Sequence, residues 1–208
     1  MAQWLTFKGL TDYNAAEILM SEYVDKVINY ETENTILLLE HNEVYTFGVS
    51  AQEGEVLNNN TDIPIVSTNR GGRVTYHGPG QRIIYPIIDL RKDQDIKKFV
   101  RNLQNWIVAT LQQLGVETEL IENSPGVWVY NNFSGQYSKI ASLGVRLKKW
   151  ITYHGIAVNI CPNLLRFNDI VSCGIKNLSV TSLKILNKNC TFDEFDIALK
   201  GEYENFFL

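Results

Sequence analysis

Ile96, Phe99, Val100, Leu103, Ile107, Leu111 and Leu114 recur at steps of three and four residues, the spacing of a helix with one apolar face. Asp93 and Asp95 precede that run and Gly115 follows it, so the pattern predicts one amphipathic helix between a polar start and a glycine end. A second helix is predicted after Asp12, with Ala15, Ile18, Leu19 and Tyr23 on its apolar face. A third covers Phe192 to Leu199, with Thr191 as its cap. Elsewhere apolar residues run together or alternate, as they do in strands: Thr35 to Glu40, Ile63 to Thr68, Arg82 to Leu90, Glu117 to Ile121, Val127 to Tyr130, Lys139 to Leu147 and Trp150 to Ile160. Asn131-Asn132 and Lys148-Lys149 mark hairpin turns. Many strands with few helices, out of strict alternation, predict an α+β fold whose mixed, largely antiparallel sheet is flanked by helices.

Composition narrows the class. The chain has 208 residues, 45% of them hydrophobic and 20% charged, and carries no linker, repeat or low-complexity segment, so it reads as one domain over 1–208. A formal net charge of −4 argues against a general nucleic-acid or membrane-surface binder. The first residues lack a basic segment followed by an apolar run, and no later stretch approaches a membrane span. Cys161, Cys173 and Cys190 are odd in number and form no C-x-x-C pair, which suits a reducing, cytoplasmic setting.

The chemistry concentrates in Arg70-Gly71-Gly72-Arg73-Val74-Thr75-Tyr76-His77-Gly78-Pro79-Gly80-Gln81, a stretch with four glycines, two arginines and a histidine. Glycines there let a ligand approach the backbone, and the flanking strands mount the loop on the sheet. Phosphate-binding signatures are missing: no Gly-Lys-Ser/Thr ends the loop, and no third glycine completes a dinucleotide fingerprint. Arg70 and Arg73 retain the capacity to hold a phosphate or a carboxylate. Cys173, beside Gly174, suits either a nucleophile or a small buried residue, whereas Cys161 and Cys190 read as structural. Lys139 opens an apolar run and either snorkels to solvent or serves a site. Placed beside Cys173, its charge would lower the thiol pKa from about 8.5. His41, His77 and His154 have no metal-site spacing, so no metal is expected. A Cys173–His77 or Cys173–His154 hydrolytic dyad is the alternative, without a protease signature to support it.

Taken together these segments resemble the lipoyl(octanoyl) transferases. The likeness rests on Arg70 to Gln81, on Lys139 to Arg146, on His154-Gly155-Ile156-Ala157-Val158-Asn159, on Cys173-Gly174-Ile175 and on Glu40 to Gly48, in family order along most of the chain. It implies the fold of biotin and lipoate protein ligase catalytic domains. It also implies transfer of octanoyl from acyl carrier protein to a lysine of lipoyl domains, in 2-oxoacid dehydrogenase E2 subunits and the glycine cleavage H protein, with no cofactor. By the same resemblance Cys173 is the thioester-forming nucleophile and Lys139 the residue that lowers its pKa. Arg70, Gly71, Gly72, Arg73, Val74, Thr75, Tyr76, His77, Ser142, Leu143, Gly144, Gly155, Ile156 and Ala157 line the acyl pocket, the loop glycines making room for the chain. Two positions depart from the family pattern: Ser172 replaces a proline before the cysteine, and Asn42 replaces a proline after His41. The alternatives are an ATP-dependent lipoate- or biotin-type ligase of the same fold, and a non-catalytic acyl- or lipoyl-domain-binding module.

Overall fold

The computed structural model describes residues 2–58, 61–132, 134–172 and 178–207, so Cys173 lies outside the described residues. In chain order the elements are β1 (Gln3–Thr11), α1 (Tyr13–Ile28), β2 (Thr35–His41), β3 (Val44–Phe47), β4 (Ile65–Ser67), β5 (Thr75–His77) and β6 (Gln81–Ile87). There follow α2 (Ile96–Gln113), β7 (Glu119–Ile121), β8 (Ser124–Asn131), β9 (Gln136–Lys148), β10 (Ile151–Asn159), a 3-10 helix (Leu164–Asp169), α3 (Phe192–Glu202) and α4 (Glu204–Phe207).

Seven strands form one sheet in the order β1-β2-β6-β10-β9-β8-β7, antiparallel throughout except for the β1–β2 pair. This is the α+β, largely antiparallel arrangement that the sequence pattern predicts. Alternation sends Ile36, Leu38 and Ile84 to one face, under α2 and α3, and Leu37, Leu39, Ile83 and Tyr85 to the other, under α1. A three-stranded sheet, β4-β3-β5, carries its own apolar cluster around Tyr45, Val74, Tyr76, Phe167 and Ile170.

The helices end where their caps dictate. Asp95 accepts from the Lys98 amide at 2.9 Å, and α2 closes with Val116 N–H donating to Leu111 O and Gly115 N–H to Gln112 O, the paired bonds of a Schellman motif. Thr191 and Glu194 form a reciprocal capping box on α3, and Asp12 caps α1 through the Ala15 amide at 3.0 Å. The β9–β10 hairpin turns at Lys149 and Trp150, both at positive φ, between the paired Lys148 and Ile151. Among the described residues no helix is long and apolar enough to cross a membrane.

Three expectations change. The buried face of α1 is Tyr13, Ala16, Met20, Val24 and Val27, not the stripe through Ala15 and Ile18, and Ile18 is 63% exposed. Both stripes are apolar, and the one that continues along all four turns wins the contact with the sheet. Thr75 to His77 is strand, not loop, because its amides pair with β3. Cys161 is exposed, since the chain leaves the sheet at the end of β10.

Trp106 on α2 is fully buried, donates its indole N–H to Leu199 O at 2.8 Å and meets Trp4, Tyr203 and Phe207 edge-on. Trp106→Ala is therefore expected to cost about 3–5 kcal/mol of stability. Urea unfolding measures it, and a loss below about 1 kcal/mol would contradict this account of the core.

Candidate active site

The glycine-rich loop is held from beneath by Arg70, a guanidinium only 8% exposed. Its Nε donates to Thr46 Oγ1 at 3.0 Å, its Nη1 to Gly71 O at 3.0 Å, and its Nη2 to Thr46 O at 2.6 Å and Arg73 O at 2.7 Å. The neighbouring segment adds Val49 N–H to Arg70 O and Ser50 N–H to Gly72 O. These bonds press the loop onto β9, where a Cβ added at Gly144 would stand 2.6 Å from Gly71 O. Only glycine allows that approach.

Between the loop, β6, β9, β10 and the start of α1 lies a narrow cavity of about 60 Å³. It is lined by Arg70, Gly72, Arg73, Val74, Thr75 and His77 from the loop, by Ser142, Leu143 and Gly144 from β9, and by Gly155, Ile156 and Ala157 from β10. The three segments singled out in the sequence thus meet around one space. Gly71 and Tyr76 do not line it. Gly71 packs on β9, and the Tyr76 ring turns into the small-sheet cluster, its hydroxyl donating to Glu43 at 3.0 Å. Among the loop glycines Gly72 alone faces the cavity, while Gly78 abuts the Tyr76 ring and Gly80 the Cys161 backbone. Their role is mainly to let the protein's own chain come close.

Sequence reasoning missed Tyr13, Ile83, Tyr85 and His154 as lining residues. The period-2 alternation of β6 held the signal for Ile83 and Tyr85, which share a face. Tyr13 comes from the first turn of α1, and nothing local in the sequence marks it.

Lys139 is 3% exposed and sits where β9 carries one extra residue: Trp128 pairs with Lys139 but Val127 with Ala141, leaving Ile140 as a bulge. Its Nζ donates to Pro125 O at 2.9 Å and lies 4.5 Å from the centre of the Trp128 ring. Gly126 makes the space, because a Cβ there would stand 3.1 Å from Lys139 Cε and 2.6 Å from Ala141 O. The backbone of Lys139 is bridged by the segment that returns after Cys173, with Lys139 N–H donating to Ser179 O at 2.8 Å and Thr181 N–H to Lys139 O at 2.9 Å. Upstream of Cys173, Val171 N–H donates to Glu55 O at 2.7 Å. Lys139 is thus buried and does not snorkel to solvent, and it is not among the residues that line the cavity.

The three histidines are buried and neutral. Burial pushes His41 down to about 4 and His154 to about 3, and takes His77 well below the ordinary histidine value, with Arg70 a lesser cause for His77 and His154. His41 Nδ1 faces Thr11 O at 3.0 Å and must carry the proton, so Nε2 accepts from the Tyr85 hydroxyl at 2.8 Å. His77 Nδ1 donates to Gln81 Oε1 at 3.2 Å. Imidazoles so far below neutrality are weak bases, which disfavours the hydrolytic-dyad reading.

Comparison with known proteins places this geometry. The model of the lipoyl protein ligase A/B catalytic domain matches residues 12–204. The octanoyltransferase of Rickettsia bellii (strain OSU 85-389) is 43% identical, and that of Rickettsia prowazekii (strain Madrid E) 42%, each over 210 residues covering all of both chains. Among solved structures, a bipartite lipoate protein ligase from Thermoplasma acidophilum superposes with a TM-score of 0.72 over 99% of this chain and 84% of that one, at 16% identity. The chain belongs to the lipoyl protein ligase A/B family and, within it, to the octanoyltransferases.

The histidines give a pH signature. Folded His41 sits below its unfolded value of 6.5, so the unfolded chain binds the extra proton between pH 6.5 and about 4. Stability is then complete above pH 6.5 and falls on acidification toward about 4, by on the order of 3 kcal/mol for His41, with His154 and His77 adding in the same sense. Glu17, raised by burial, contributes the opposite sign. Urea midpoints should drop between about pH 6.5 and 5, above the ordinary carboxylate range, and His41→Gln should flatten the slope. An unchanged midpoint across that window would contradict burial of neutral histidines.

Proposed function

We propose that this chain moves an octanoyl or lipoyl group from acyl carrier protein to a lysine of lipoyl domains, through a thioester on Cys173. Membership in the octanoyltransferases supports acyl transfer in protein lipoylation. The observation that carries the finer reading is the cavity closed by the Arg70 loop, Ser142–Gly144 and Gly155–Ala157, with a buried lysine three residues before Ser142 on the same strand. Acceptors of this reading are the lipoyl domains of 2-oxoacid dehydrogenase E2 subunits and the glycine cleavage H protein, and the reaction takes place in the cytoplasm.

The chemistry follows from the residue types. The Cys173 thiolate attacks the acyl carbonyl of the donor, a bond forms from sulfur to carbon, and the carrier thiol leaves with a proton from Lys139. The acceptor amine then attacks the acyl-enzyme carbonyl, the carbon–sulfur bond breaks, and Lys139 takes the amine proton as the amide forms. A thioester is already activated, so neither step calls for a nucleotide. The cationic head of Lys139 favours the thiolate over the thiol. Arg70, Gly72, Arg73, Val74, Thr75, His77, Leu143 and Ile156 hold the acyl chain, and Gly71 and Tyr76 support the loop from outside the cavity.

Intact-protein mass measurement after incubation with octanoyl-acyl carrier protein tests the reading. An octanoyl adduct without ATP is expected, absent from Cys173→Ser. An adduct that needs ATP, or transfer that survives Cys173→Ser, would assign the chemistry to the ligase alternative, and binding without turnover to the non-catalytic one. Lys139→Ala should raise the thiol pKa by about one unit or more when the alkylation rate of Cys173 is followed against pH, and an unmoved profile would remove the role of Lys139.

A further inference from the structure

The cavity wall carries two cations, Arg70 and Arg73; Arg70 is committed to the protein, and Arg73 is ion-paired through Nη2 while its buried Nε meets no hydrogen-bond partner among the described residues. Arg70 spends its donors on Thr46 and on the loop carbonyls of Gly71 and Arg73. Arg73 is ion-paired through Nη2 with Glu55 Oε1, and the same nitrogen donates to Gln52 Oε1 at 2.8 Å. Glu55 is 3% exposed and fixed from three sides: Oε2 accepts the Gln52 amide at 3.1 Å, its carbonyl accepts Val171 N–H at 2.7 Å, and Val56 beside it bridges Ile170. A carboxylate so buried stays paired, because stripping its partner leaves an uncompensated charge out of water. The remaining titratable side chains of the wall are Tyr13, Tyr85 and neutral histidines.

We propose that Glu55 determines specificity: by neutralising Arg73 at the wall, it leaves the cavity suited to the acyl chain of an uncharged thioester and unsuited to a free carboxylate. The inference rests on the acyl-pocket reading above and adds to it how the site tells a carrier-bound acyl group from the free fatty acid. A carboxylate entering the cavity would have to compete with Glu55 for Arg73, and Glu55 is held in place by its own backbone. Remove the negative charge and Arg73 becomes an anion-binding group on the wall, with no other carboxylate ion-paired to it among the described residues. The pair would then act as a filter on head-group charge, independent of the chemistry at Cys173.

Titration calorimetry with octanoate and with octanamide, its uncharged analogue, tests this without turnover. The wild-type protein is expected to bind octanamide at least as tightly as octanoate. Glu55→Gln should tighten octanoate by about tenfold and leave octanamide within about twofold, and the double variant Glu55→Gln/Arg73→Gln should return octanoate to its starting affinity. A wild type that prefers octanoate by about tenfold overturns the proposal and needs no variant to do so. So does a Glu55→Gln protein in which both ligands change alike. A wild type that binds neither ligand overturns the acyl-pocket reading and the filter together, whereas binding of both with no charge effect overturns the filter alone.

Discussion

Arg70 holds together what would otherwise be a glycine-rich strip with little reason to keep one shape. A buried guanidinium costs several kcal/mol unless its N–H groups are met, and here the oxygens that meet them belong to Thr46, Gly71 and Arg73. The dependence is mutual, because Gly71 O and Arg73 O in turn take the guanidinium as a donor. With Val49 and Ser50 donating to the same loop, the wall of the cavity is fixed before anything enters it. Recognition by a pre-formed wall spends little entropy on ordering the site. It also means that the loop's charge faces its own backbone.

The sheet is regular where it serves as floor and irregular where it presents a side chain. Ile36, Leu38, Ile84, Ile156 and Val158 alternate as simple pleating requires. At Ile140 the extra residue breaks that alternation, so Ile140 and Ala141 both enter the core and Lys139 is re-aimed beside Trp128 and Pro125. Gly126, at φ of 128°, lets β8 pass close enough to leave room for the lysine stem. A regular strand with an ordinary residue at 126 would have no place for that stem.

How much of this was legible in the sequence depended on how local the cause was. The caps at Asp12, Asp95 and Thr191 and the glycine after α2 are decided within a few residues and lie where the pattern puts them, while the β9–β10 turn falls one residue later than Lys148-Lys149, at Lys149 and Trp150. The α1 face was not legible, because both of its stripes are apolar and only the sheet beneath selects one. β1 was hidden for a related reason: most of its residues are exposed or half-buried, and it exists through its parallel partner β2. In the site, the glycine-rich loop was marked by composition and the other two segments by the family resemblance, but the bulge at Ile140, the inward turn of Arg70 and the pairing of Arg73 with Glu55 all depend on contacts between residues distant in the chain.

The cavity and the lysine belong to one bonded unit, and this constrains any reaction carried out there. From the cavity wall, His77 Nδ1 donates to Gln81 Oε1, Gln81 Nε2 donates to Asn159 Oδ1 at 3.0 Å, and Asn159 Nδ2 donates to Thr181 O at 2.9 Å. Thr181 N–H in turn donates to Lys139 O. Every link but the last uses a buried side chain, and each is expensive to leave unmet. Burial holds His77 in that network and His154 on the same wall neutral, so neither lining histidine is a strong base at neutral pH. On the proposed acyl-transfer reading, a chain seated against His77 and Ile156 would be tied through these bonds to the strand that carries Lys139.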